Sequence, residues 1–376
     1  MKARDRVPWL LRGSVRRARN ELARLRLAQR DRPRRREIAR TPPRSDGLAV
    51  SYGVERMPGP DEIVGGGWVK FALLAEELPN APRDFNVLYL GSSSMPLDAR
   101  ALARLARDRG AAFVWNQNGV AYRGWYGTGW QLANREPARL LRAAEHVLFQ
   151  SAFCKLSADR FYGERAGPWE ILHNPVDTER FTPAERRPDR PLTLLLGGNQ
   201  YQRYRFEVAL DALGKLPDAR LLVSGALSWG TEAEREGQEL VAERRLGDRV
   251  ELLGAYTRRE APDLFRRADV LLHTKYNDPC PSVVLEAMAS GLPVVYSASG
   301  GVPELVGEDA GVGIPAPLDW EHDHPPAAEA LASGVLEVAE GLEERAAAAR
   351  RRAVEQFDSR RWIARHRELF EELRAR

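Results

Sequence analysis

At 376 residues the chain is long enough for two domains with a core each, and its 43% apolar and 29% charged composition is that of a folded globular protein. No apolar run nears the roughly 18 residues of a membrane span, residues 9–11 are too short for the apolar part of a secretion signal, and the two cysteines, Cys154 and Cys280, support neither a disulfide framework nor a cysteine zinc site, so a cytoplasmic protein is expected. The net charge of +4 hides a division: residues 1–44 hold 16 Lys+Arg against 4 Asp+Glu, leaving 41 and 49 for the other 332 residues, so the body is mildly acidic and no nucleic-acid partner is expected.

Within the basic tail, Leu11, Val15, Ala18, Leu22 and Leu25 step by four and three, which sets them on one face of a helix with arginines around it. Such a helix suits an anionic membrane surface; a short helix packed on the body, or a partly disordered arm, has the same pattern. From residue 46 onward, strand and helix alternate. Strands are expected at 48–52, 85–90, 112–115, 146–149 and 169–172, and helices at 68–78, 98–109, 131–144 and 151–161. Pro175, Pro183, Pro188 and Pro191 mark a linker. The alternation restarts with strands at 192–196, 220–224, 250–253, 270–273 and 293–297, separated by helices at 206–213, 232–245, 259–267 and 283–289. Short strands joined by helices imply parallel sheets, and two such series imply two doubly wound, Rossmann-like α/β domains facing a cleft. The expected divisions are a basic arm at 1–45, a first domain at 46–176, a linker at 177–190, a second domain at 191–357 and a last segment at 358–376.

Parallel sheets of this kind bind ligands at the carboxyl ends of their strands. Those ends carry small or hydrogen-bonding residues: Gln117 and Asn118 in the first half, and Gly198, Asn199, Tyr256 and the stretch from Lys275 to Ser282 in the second. The most informative segment runs from Asn277 to Glu304. A loop carrying Asp278 leads to a helix that starts near Ser282 and places Glu286 about one turn in; Gly291 ends it. Free amides around Ser282, Val283 and Val284 offer an anion site, and Gly300-Gly301 before another short helix offers the same device. In the first half, Gly65-Gly66-Gly67 opens a helix and lets backbone approach a ligand closely. The segment from Tyr122 to Trp130, with Trp125 at its centre, is rich in aromatics and glycine: either a mobile surface on which a sugar or lipid stacks or a loop tucked onto the core. Glu321-His322-Asp323-His324 lies in a polar loop, and no metal site is expected there.

The Asn277–Glu304 segment resembles the donor-binding signature of retaining GT-B glycosyltransferases, glycosyltransferase family 4 in particular. The match consists of Asp278 and Glu286 eight residues apart, Ala287-Met-Ala-Ser-Gly-Leu-Pro-Val-Val295, and Gly300-Gly-Val-Pro-Glu304. Ala268-Asp269-Val270 and the stretch His173–Phe181 resemble the family's strand start and interdomain segment. The resemblance implies that Glu286 binds the nucleotide ribose, Asp278 the transferred sugar, and the amides of Ser282–Val284 and Gly300–Gly301 the diphosphate or sugar. The family places an Arg and a Lys after the first strand of the second domain; here Asn199 and Tyr204 fall at those positions, with Arg203 and Arg205 beside them. Arg203 is the preferred phosphate-facing cation and Arg205 the alternative. Gln117 and Asn118 stand where related enzymes often carry a histidine, and neither amide acts as a base at neutral pH. Gly65–Gly67 matches the first-domain loop beside donor and acceptor, with Gln117, Tyr122 and Trp125 on the acceptor side. The last helix is expected to pack back on the first domain.

The implied reaction transfers a hexose or deoxyhexose, with anomeric retention, from a nucleotide-sugar co-substrate to a hydroxyl of a glycan or lipid-linked acceptor. No cofactor or metal is expected, since the chain has no Asp-x-Asp. Peripheral contact with an anionic inner membrane face through residues 1–44 is the accompanying expectation. The alternatives are a nucleotide-sugar-binding protein without turnover and a sugar-nucleotide epimerase on the same fold. A NAD-dependent oxidoreductase is disfavoured, because Gly65-x-Gly67 is followed by Lys70 where a third glycine belongs.

Overall fold

Runs of β-branched, leucine and aromatic residues give the chain two all-parallel sheets. The computed structural model describes residues 32–185 and 190–376. In the first sheet β1 (Val50–Ser51), β2 (Val87–Gly91), β3 (Ala112–Gln117), β4 (His146–Phe149) and β5 (Trp169–Ile171) lie side by side in chain order. Alternation sorts their side chains: Leu88, Leu90, Phe113 and Trp115 pack against the helices Ala99–Asp108, Arg135–Ala143 and Ala152–Tyr162. Val87, Tyr89 and Val114 face the helix Gly66–Glu77 and the last helix, Ser359–Arg374, through Phe71, Leu74, Trp362 and Phe370. The second sheet has the order β11-β10-β9-β6-β7-β8. Its strands are β6 (Leu192–Leu196), β7 (Ala219–Ser224), β8 (Val250–Gly254), β9 (Val270–His273), β10 (Val294–Ala298) and β11 (Gly311–Pro315). The order reverses between β6 and β9, which opens a crevice at their carboxyl ends. Helices cover both faces of each sheet, so the expected two-domain α/β architecture is met.

The domains are tied together by more than a linker. Val176 and Asp358 cross side by side: Val176 N donates to Phe357 O at 2.9 Å and Ser359 N donates to Val176 O at 2.9 Å. A loop of the second domain carries Trp320 into the first-domain core, where it meets Phe153, Phe161 and Tyr122 at 5.0–5.4 Å between ring centroids. Both the last helix and this loop therefore complete the first domain.

Several boundaries shift. Residues 32–45 are not part of a free arm: in the helix Arg32–Arg40, Ile38 is buried in the first-domain core, and Arg44 pairs with Asp84 at 2.7 Å. The amphipathic stretch Leu11–Leu25 lies outside the described residues. Phe181, expected in the linker, is buried in the second-domain core. The helix expected at 131–144 is broken at Asn134, whose side chain accepts from Ala121 N at 2.9 Å and donates to Ala121 O at 2.8 Å. β11 and the helices Ala328–Glu340 and Leu342–Gln356 were not read from sequence; two glycines and a proline obscure β11.

Candidate active site

The cleft between the domains holds a cavity of about 310 Å³, lined from the first domain by Gly66, Gly67, Lys70, Ser93 and Asn118 and from the second by Gly198, Asn199, Arg205 and Tyr256. Lys275, Asp278, Ser282, Val283 and Glu286 complete its second-domain wall. Asp278 reaches it because Asn277 takes a left-handed conformation (φ 50°), which turns the loop inward. Asn277 is held there by Ser299 Oγ, which accepts from its N–H at 2.8 Å, and by its own Nδ2–H, donated to Asp319 O at 3.1 Å. Behind the loop, Gly301 N donates to Asp278 O at 2.8 Å, and a Cβ on Gly301 would sit 2.0 Å from Pro279 O. The Gly300-Gly301 pair thus braces the loop from behind and does not line the cleft, contrary to the expected ligand contact.

Asp278 is buried, with one carboxylate oxygen 3.1 Å from Lys275 Nζ and the other 3.2 Å from His273 Nε2. Burial alone would raise its pKa, but Lys275, His273 and Arg205 outweigh it and hold the carboxyl well below the usual carboxylate range. His273 is itself pushed down by burial, against the pull of Asp278. Glu286 is the opposite case. It is half-buried beside Tyr256, with no hydrogen-bond or ion-pair partner among the described residues, and burial pushes its pKa up to about 7 despite Arg258. One carboxylate is fixed and ionised; the other waits for donors.

Ser282 and Val283 present the helix start to the cavity. Val284 does not: its side chain is in the core and its N–H goes to Pro281 O at 3.2 Å. Among the cations, the structure favours Arg205. It is buried, donates to Asn199 O at 3.0 Å and leaves Nε unpaired. Arg203 points outward to Glu207 and Glu236 at 2.9 and 3.4 Å and does not line the cleft, because it sits on the opposite side of the first turn of the helix Arg203–Gly214. Asn199 lines the cleft with its side chain committed to Ala226 N and Tyr201 Oη, and Tyr204 accepts from Tyr276 N at 3.0 Å.

On the first-domain side, Asn118 lines the cleft, with its N–H on Ser92 Oγ at 2.8 Å. Gln117 is buried and spent internally, accepting from Trp115 Nε1 at 2.8 Å and donating to Asn118 O at 2.7 Å. Tyr122 is buried against Trp320, and Trp125 is half exposed with its indole on Val120 O, so the aromatic loop is a domain contact and not a cleft wall. Gly65 caps the helix Gly66–Glu77 without lining the cavity. Sequence reading placed Lys275 and Asn174 at strand ends without giving either a role, and it missed Lys70, His273 and Arg258. In the 321–324 loop, His322 and His324 both meet Asp319, at 3.3 and 2.8 Å.

Residues 177–351 match the glycosyl transferases group 1 family. The D-inositol 3-phosphate glycosyltransferase of Mycobacterium marinum is 29% identical over 164 residues, 41% of this chain and 34% of that protein. That of Mycobacterium leprae is 33% identical over 146 residues, covering 36% and 34%. The matched region thus spans about a third of the length of these relatives. Among solved structures, HepE of Anabaena in complex with UDP-glucose aligns with a TM-score of 0.69 at 17% identity, covering 86% of this chain and all of that one (100%). Sucrose-phosphate synthase from Thermosynechococcus elongatus gives 0.65 at 19% identity, covering 89% and 88%. Residues 177–351 thus carry the similarity to group 1 glycosyl transferases, in a chain whose fold is that of the GT-B structures it aligns with.

Proposed function

We propose that this chain is a retaining glycosyltransferase that moves a hexose or deoxyhexose from a nucleoside diphosphate sugar to a hydroxyl of a glycan or lipid-linked acceptor. The observation that carries the reading is the pairing of an ionised, clamped Asp278 with an unpartnered Glu286 on one wall of the interdomain cleft. Glu286 accepts from ribose hydroxyls and Asp278 from hydroxyls of the sugar. Arg205, Lys275 and the amides of Ser282 and Val283 offset the charge that grows on the leaving diphosphate. The bond from anomeric carbon to phosphate oxygen breaks, the bond to the acceptor oxygen forms on the same face, and the acceptor's proton passes to the departing phosphate. Asn118, which has no basic nitrogen, positions the acceptor without taking that proton.

Thermal-shift titration with nucleoside diphosphates and their sugars tests the donor site. A ligand that stabilises the wild type and not Glu286→Ala supports it; equal shifts in both sink it. A second reading, a donor-binding protein without turnover, draws on Asn199 and Tyr204 at positions where the resembled family has cations; transfer and hydrolysis assays separate the two.

Contact of the basic N-terminal residues with an anionic membrane belongs to the same proposal, and among the described residues no helix is long and apolar enough to cross one. Because Ile38 is buried in the first-domain core, the part of residues 1–44 that can be removed without disturbing that core is 1–31. Sedimentation with anionic vesicles checks it: equal binding after removal of that segment overturns it.

A further inference from the structure

Lys70 lies 2% exposed at the first-domain edge of the cleft, on the helix that follows the glycine loop. Its Nζ donates to Asn116 Oδ1 at 2.7 Å and to Asn174 Oδ1 at 3.1 Å. Both amides are locked with their oxygens toward the ammonium. Asn116 Nδ2 donates to Tyr89 Oη at 2.9 Å and Asn174 Nδ2 to Cys280 O at 2.7 Å. The lock extends to the last helix. His366 Nδ1 is 2.8 Å from Trp362 O, so it carries the proton, and Nε2 accepts from the Tyr89 hydroxyl at 2.8 Å. A second donor, Gln150 Nε2, also points at Asn116 Oδ1, at 2.6 Å.

The cage is neutral throughout. The titratable groups that bear on Lys70 are the thiols of Cys154 and Cys280, both pushed up by burial, with Tyr89 and His366 one step behind Asn116. Burial holds His366 uncharged, at about 3. Among the described residues no carboxylate pairs with Lys70, whereas Lys275 across the cleft has Asp278. A buried ammonium without a counter-charge is costly, and an ammonium has three protons where the cage accepts two. The third has no hydrogen-bond acceptor among the described residues, and Lys70 lines the cavity.

We infer that Lys70, in its cage of Asn116 and Asn174, is an anion subsite that takes a phosphate oxygen of the bound substrate. The inference rests on the glycosyltransferase reading for what is bound: the phosphate belongs either to the donor diphosphate or to a phosphorylated acceptor. The subsite sits between the glycine loop of the first domain and the Cys280–Ser282 loop of the second, so the anion it holds would bridge the domains. Burial leaves the empty Lys70 with a pKa of about 7, and an anion beside it raises that value, so binding at pH 8 draws in a proton.

The test is calorimetric titration of wild type, Lys70→Met and Lys70→Gln. UDP, GDP, ADP and dTDP are titrated first, then inorganic phosphate into free protein and into protein saturated with the tightest diphosphate. If the donor supplies the anion, both variants bind the diphosphate roughly ten- to hundredfold more weakly, bind the parent nucleoside unchanged, and take up fewer protons at pH 8 than wild type. If the acceptor supplies it, only phosphate binding to the saturated protein is lost. A merely structural lysine predicts a lowered melting temperature and unchanged titrations in every arm, and that result overturns the subsite. Phosphate binding that both variants abolish, in a wild type that takes no diphosphate, keeps the subsite and sinks the donor reading. A wild type that binds neither overturns both.

Discussion

Glu304 and Ala152 belong to different domains and are joined by a hydrogen bond: Ala152 N donates to Glu304 Oε2 at 2.7 Å, and Phe153 N donates to Oε1 at 2.9 Å. A carboxylate of the second domain thus caps a helix of the first, Ala152–Tyr162, with His173 Nε2 a further 3.3 Å away. Burial would raise the Glu304 pKa, but His173 and the two amides lower it below the ordinary value. The final Glu of the Gly-Gly-x-x-Glu signature is therefore a clasp between domains.

Glu304→Ala should cost about 1–2 kcal/mol of stability near pH 7. Because the folded pKa is depressed, this contribution is complete above the ordinary glutamate range, near pH 4.3, and fades as pH falls through the folded value. Urea melts of both proteins at pH 7 and at pH 3 measure it: the gap should narrow in acid, and a gap that stays constant refutes the charge-based clasp.

The two neighbouring arginines should behave differently. Arg203→Ala, removing an outward-facing ion pair, should leave transfer within about twofold of wild type. Arg205→Lys keeps the charge and loses the fork, so kcat/KM should fall roughly tenfold or more. Steady-state kinetics with the identified donor decide this, and equal losses would contradict the assignment.

Lys275 is the largest influence lowering the Asp278 pKa. Lys275→Met should shift the acid limb of the kcat/KM profile to higher pH and reduce the plateau by about ten- to hundredfold. An unmoved acid limb would mean that Asp278 does not need to be ionised.

Glu286 reverses the usual sign for a carboxylate. With a folded pKa of about 7 against an ordinary 4.5, the folded protein holds its proton longer than the unfolded chain, so the empty site loses stability as pH rises from 4.5 to 7. Glu286→Gln should raise the melting temperature of the ligand-free protein at pH 8, leave it unchanged at pH 4, and weaken donor binding about tenfold or more. A melting temperature equal to wild type at pH 8 would show that the empty site carries no such cost.

Trp320→Ala should destabilise the protein by about 3–5 kcal/mol although the residue lies on a loop, because its indole fills the core of the other domain. Chemical denaturation followed by circular dichroism gives the figure directly. A cost typical of a surface loop residue would place Trp320 outside the core.

What the sequence disclosed followed from periodicity and local chemistry. The strands at 146–149, 192–196 and 270–273 fall where alternation and apolar runs put them, and Asp278 and Glu286 reach the cleft because one loop and one helix turn place them. The rest depended on long-range packing. Lys70 reads as an ordinary helix lysine until Asn116 and Asn174, 46 and 104 residues away, close on it. Arg203 and Arg205 differ by two positions, and only the orientation of one helix turn sends the first to solvent and the second into the cleft. Gln117 and Tyr122 look like site residues because polar and aromatic groups at a strand end suit a ligand; the fold spends them on Trp115 and Trp320 instead.

The two late segments that complete the first domain set an order of events during synthesis. One face of its sheet lacks its indole until Trp320 has left the ribosome, and the other, with Tyr89 and Val114, has only the helix Gly66–Glu77 for cover until Trp362 and Phe370 have followed. The first domain is therefore begun before the second and finished after it. A nascent chain halted before residue 320 would expose apolar sheet to its surroundings, so the first domain is sealed only by segments made after the second.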